Sequence, residues 1–135
     1  MTARAWTLAL ALASPAVHAD ARTDYMLNCQ GCHLGDGRGS PGNVPDLRNE
    51  LGLMLRVPGG REYLVQVPGS RNAAIDDAAL AAVLNWMLPT FSPATLPPQF
   101  TPYTPDEVGR LRSAPFENTA ALRAQLLEAI GDQSH

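Results

Sequence analysis

Both cysteines of this 135-residue chain lie inside one pentapeptide, Cys29-Gln30-Gly31-Cys32-His33. That spacing constrains the fold more than any other feature. Two thiols three positions apart cannot staple distant segments, and two cysteines are too few for a disulfide scaffold. Stability must come from a core. A chain that is 45% hydrophobic and 17% charged has the material for one small domain. The formal net charge of −3 speaks against a nucleic-acid binder, which shows a basic patch. All ten basic residues are Arg, so Lys-based nucleophiles and Schiff bases are excluded. No apolar stretch approaches the ~20 residues of a spanning helix.

The N-terminus reads as an export signal. Arg4 gives a positive start, Ala5 to Ala13 a short apolar run, and Pro15 a break. Val17-His18-Ala19 then supplies a small-x-small cleavage pattern. Residues 1–19 are expected to be removed after Ala19, with Ala21 the weaker alternative, placing the protein in the periplasm. The thiols would then meet an oxidising compartment, where an exposed pair oxidises unless something consumes it.

Periodicity and capping signals place the elements. Asp20 to Cys29 reads as a short helix capped by Asp20 or Thr23, and residues 31–45, with five glycines, read as a loop. Two short helices are expected between Asp46 and Val67, broken at Pro58-Gly59-Gly60; the alternation in Arg61 to Val67 also admits a strand. The clearest helix is Asp76 to Leu88, with Leu80, Val83, Leu84 and Met87 on one face. Seven of the twelve prolines fall between Pro89 and Pro115. This predicts an extended connection to Thr104, whose capping box with Glu107 opens a helix to Arg112. Asn118 or Thr119 starts a last helix, with Leu122, Leu126 and Ile130 in a stripe.

C-x-x-C-H is the attachment sequence of a c-type haem. Two thiols add to the two vinyl groups on one porphyrin edge, and the next residue falls beneath the ring, where its imidazole reaches the iron. Thioether sulfurs cannot form a disulfide, which removes the oxidation problem. Three rival readings are weaker. A thioredoxin-like dithiol sits at a helix start in a βαβ unit, whereas this motif closes a helix. Zinc needs about four ligands, and only Cys29, Cys32 and His33 cluster. A plain disulfide leaves His33 without a role.

These residues resemble the class I cytochrome c family of small, soluble, mono-haem proteins. In that family an N-terminal helix ends in the haem motif, with an aromatic residue four positions before the first Cys, the place of Tyr25. A Pro after the following loop supports the axial His through its carbonyl, and Pro45 in Val44-Pro45-Asp46-Leu47 resembles it. A C-terminal helix carrying an aromatic crosses the first helix, and Trp86 resembles that residue. The resemblance covers residues 20–88, the expected core domain; residues 89–135 are an extension expected to contribute one or two helices packing on the core. It implies an all-α bundle of short helices around one covalent haem c.

The chain departs from the family at the sixth iron ligand. The loop that carries an axial Met in a typical member reads Val67-Pro68-Gly69-Ser70-Arg71-Asn72-Ala73 here and has none. His18 falls in the signal and His135 at the far end. Met26 shares the motif's own helix, which leaves Met87 as first candidate and Met54 as second, beside water, a vacant site or another ligand. Tyr63, Trp86 and Phe91 are candidates for the haem edge or for ordinary core, and Arg48, Arg56, Arg61 and Arg71 for a propionate or for solvent. No acid–base pair or Ser-His-Asp set points to an enzyme.

The resemblance implies a monomeric periplasmic one-electron carrier, not an enzyme. A dehydrogenase is the expected donor, and a terminal oxidase or another cytochrome the acceptor. Two alternatives follow from the missing loop Met and from the extension. The first is an open sixth site that binds a small gas or peroxide. The second is a dedicated haem subunit of a dehydrogenase complex.

Overall fold

A computed structural model describes residues 20–115 and 118–133. The predicted export signal, its cleavage site after Ala19, His18 and His135 lie outside the described residues. The described residues form eight helices and no strand, with one isolated bridge between Ser40 and Val44. None of these helices is long and apolar enough to cross a membrane.

Helix α1, Ala21–Asn28, starts where Asp20 accepts a bond from the Thr23 amide at 2.9 Å. A four-residue helix, α2 (Gln30–His33), carries the pentapeptide. The chain leaves it through Leu34 at φ 53° and passes into the glycine loop. Two short helices follow, α3 (Glu50–Met54) and α4 (Gly60–Gln66). The strand alternative for Arg61 to Val67 is not adopted. Gly59 turns the chain at φ 84°, and helical spacing then sets Gly60, Tyr63 and Leu64 on one buried face, with Val65 buried beside them. The loop expected to be irregular holds a further turn of helix, α5 (Pro68–Arg71).

Helix α6, Asp77–Phe91, is the longest, and Asp76 caps it through the Ala79 amide at 2.8 Å. It runs three residues past the expected end, with Pro89 inside it. Pro89 removes one amide donor. The continuation is stabilised because Phe91 is buried against Tyr25 and Trp86, with ring centroids 5.3 and 5.5 Å away. The Ser92 hydroxyl, fully buried, donates to the Leu47 carbonyl at 3.0 Å.

The proline-rich connection leads to α7, Pro105–Ser113, and then α8, Thr119–Asp132. Thr104 accepts from the Glu107 amide at 3.2 Å, and Asn118 accepts from the Ala120 and Ala121 amides. Helix α1 packs on α6, and α7 lies against α6 and α4. Helix α8 packs on α3 and α4. Tyr103, Val108, Leu111 and Leu126 join the same buried cluster as Tyr25, Met54 and Leu80. The extension therefore shares the core instead of protruding from it.

Candidate functional site

A cavity of about 410 Å³ opens where α2, α3, α4, α6 and α8 converge. Clefts of that size are in the range of small-molecule and cofactor sites. Cys29, Cys32 and His33 stand in its wall, and Leu51, Leu64, Leu80, Val83 and Leu84 make much of the rest apolar. A large flat apolar group with two reactive carbons and a metal is suited by such a lining.

The local chain dictates how His33 is presented. The α2 turn is closed by the Cys32 and His33 amides donating to the Cys29 carbonyl at 3.1 and 3.0 Å. The ring nitrogen Nδ1 lies 3.1 Å from the Pro45 carbonyl oxygen. That acceptor puts the proton on Nδ1 and leaves the lone pair on Nε2, the arrangement that orients a metal-binding imidazole. Burial lowers the His33 pKa, against the opposing pull of the Pro45 carbonyl and of Asp46. The neutral, ligating form is thereby favoured.

Burial, with Asp24 and Cys32 adding to it, pushes the Cys29 thiol up to about 11. A redox dithiol needs the opposite shift, and no βαβ unit surrounds the motif among the described residues. Nor does any group of three or more His, Cys, Asp or Glu among them converge to hold a metal ion. The thioredoxin-like and zinc readings both lack their structural setting.

Tyr25 and Trp86 do not line the cavity. Their rings meet at 5.3 Å, where α1 crosses α6. The Tyr25 hydroxyl donates to the Leu34 carbonyl at 2.6 Å, at the exit of the motif. Phe91 completes this aromatic contact, so Tyr63 alone of the three edge candidates reaches the cavity. Met54 and Met87 both line it and are 1% and 7% exposed, whereas Met26 is 51% exposed and faces away.

None of the four arginines singled out from the sequence lines the cavity. Arg48 bonds Asp46 at the surface, holding that carboxyl down to about 2. Arg56 reaches the Thr95 carbonyl, and Arg61 pairs with Glu107. The arginine that does line it is Arg123, on α8, paired with Glu50 and sharing the cavity wall with Tyr63. Thr119 and Ala120 of the same helix also face the cavity. Sequence reading missed them although a signal was present. Thr119 and Arg123 are one turn apart, beside the Leu122–Leu126 stripe.

An all-helical fold built around this pentapeptide at the wall of an apolar cavity defines a c-type cytochrome. No family-level sequence profile matches the chain. It is 34% identical over 103 residues to cytochrome c-552 of Thermus thermophilus, spanning 63% of this chain and 79% of that protein. A second cytochrome c-552 from Thermus thermophilus matches at the same identity over 70% of its length. The chain belongs to the class I cytochrome c family.

Proposed function

We propose that this protein carries one c-type haem and passes single electrons between partners in the periplasm after export. The observation that carries the reading is the His33 ring, held through Nδ1 by Pro45 in the wall that also presents Cys29 and Cys32. Cys29 and Cys32 hold the group covalently, and His33 presents Nε2 to its iron. When bound, the haem supplies a one-electron couple whose potential follows axial ligation, burial and nearby charge. The protein's part is to keep these groups nearly fixed, so that little rearranges as charge changes. Apolar side chains exclude water from the cavity, and Arg123 with Tyr63 supplies donors suited to a carboxylate of the cofactor.

The single-electron role and the family's redox partners support a dehydrogenase as donor and a terminal oxidase or another cytochrome as acceptor. Such encounters are small and transient, which suits a monomer. The name cytochrome c-552 borne by the Thermus proteins supports the carrier role.

For the sixth ligand we assign Met87, with Met54 second; both are buried and both line the cavity. Visible spectra of the oxidised and reduced protein test this. Met87→Leu is expected to abolish the sulfur-to-iron band and lower the reduction potential, while Met54→Leu keeps the band. A band retained in Met87→Leu and lost in Met54→Leu exchanges the two. A wild-type protein without the band favours the open-site alternative.

A further inference from the structure

We infer that Arg112, on α7, is a positioning residue that latches the loop after α4 over the cavity and keeps outside ligands from entering. The inference rests on the six-coordinate reading above and adds the element that guards it. The loop is the one that lacks a methionine, and its residues Val67, Pro68, Gly69 and Ser70 line the cavity. Burial holds it only in part: Val67 and Ile75 rest half-buried against the core, and no residue from 66 to 79 is fully buried. Segments with few buried contacts open locally at low free energy. This wall needs another restraint.

Arg112 supplies one. Its Nε and Nη2 donate to the Arg71 carbonyl at 3.2 and 3.1 Å, and Nη2 donates to the Ala73 carbonyl at 2.8 Å. Nη1 donates to the Ile75 carbonyl at 2.9 Å and to Asp77 Oδ1 at 3.0 Å. All five guanidinium donors are thereby used, on three loop carbonyls and on the first turn of α6. The Arg112 side chain is only 18% exposed, so its bonds to the loop carbonyls are partly shielded from water, while the Asp77 carboxylate at the end of the fork stays open to it. The loop transmits the restraint to the cavity. The Arg71, Asn72 and Ala73 amides donate back to the Val67, Pro68 and Ser70 carbonyls at 2.9, 3.1 and 3.3 Å. The three residues so tied to the latched segment all belong to the cavity wall. A lysine cannot reproduce this, since its three donors diverge from one point and lack the planar fork.

The test compares Arg112→Gln and Arg112→Lys with Arg61→Gln in the haem-loaded protein. Arg61 is a second clamp, bonded to Glu107 and to the Thr101 and Pro102 carbonyls, but it lies outside the cavity wall. Two readouts are taken: amide hydrogen exchange at Arg71, Asn72 and Ala73, and carbon monoxide binding to the reduced protein. The wild type is expected to show slow exchange and no shift of the haem bands. Arg112→Gln should raise exchange at the three amides at least tenfold and admit carbon monoxide, with Arg112→Lys between. Arg61→Gln should lower the melting temperature while leaving both readouts at wild-type values. Unchanged exchange and unchanged carbon monoxide exclusion in Arg112→Gln overturn the inference, as does an equal rise in exchange in Arg61→Gln. Where Arg112→Gln does not fold, Arg112→Lys decides by the same criteria. Carbon monoxide binding by the wild type counts against the six-coordinate reading alone, because the exchange arm still reads the latch directly.

Discussion

The Tyr25 hydroxyl governs the exit of the attachment motif. It donates to the Leu34 carbonyl at 2.6 Å and approaches that of His33 at 3.3 Å. Leu34 sits at φ 53° and ψ 173°, a positive-φ extended conformation otherwise confined to glycine, which costs about 1–3 kcal/mol. The hydroxyl bond helps hold the chain there. Burial pushes the Tyr25 pKa up to about 12, with Cys29 and Asp36 adding to it, so the donor stays protonated across the working range. Tyr25→Phe keeps the ring contacts with Trp86 and Phe91 and removes only the bond. It should cost about 0.5–1.5 kcal/mol in urea unfolding, with an unchanged denaturant slope. The place of Tyr25 was legible through the family resemblance, which implies an aromatic residue four positions before the first Cys. Its acceptor was not, because the loop conformation at Leu34 has no local signature.

Between elements, α4 and α7 are tied by Arg61 and Glu107. Nε and Nη2 of Arg61 bond the two carboxylate oxygens at 2.6 and 2.8 Å, and the guanidinium lies 4.0 Å over the Tyr103 ring. The Glu107 backbone amide donates to the Thr104 hydroxyl, capping the start of α7. The bonds from Arg61 chiefly hold the Glu107 carboxyl below its ordinary 4.5, burial opposing them. A carboxyl whose folded pKa is depressed stabilises the fold above its unfolded pKa. That contribution disappears as pH falls below about 4.5 and through the folded value. Glu107→Gln is therefore expected to lose about 1.5–3 kcal/mol at neutral pH and to flatten the acid limb of the stability curve. Urea titrations at neutral and acid pH check both. The cap was readable from Thr104-Pro105-Asp106-Glu107; the partner 46 residues away was not.

At the scale of the whole molecule, the extension completes both the core and the cavity. Leu126 is 4% exposed and lies in the same cluster as Met54 and Tyr63. Arg123 on the same helix pairs with Glu50 at the cavity. Leu126→Ala should cost about 2–5 kcal/mol, and unfolding should remain one cooperative transition. Two separate transitions by calorimetry would show an extension that folds independently.

Local chemistry was readable from the sequence. The two thiols and the imidazole lie within five residues, so one turn of helix presents all three whatever the rest of the chain does. The caps at Asp20, Asp76, Thr104 and Asn118 act over two or three residues and were legible for the same reason. The extent of α6 was not, because its last turn depends on Phe91 meeting Tyr25. Arg112 and Arg123 lie outside the family-like stretch, and their partners are 35 or more residues away. Such separations are closed only by how helices pack, since composition and spacing carry no information about which distant surfaces meet. The sequence determined where the two thiols and the imidazole stand relative to one another; the tertiary structure decided what encloses them.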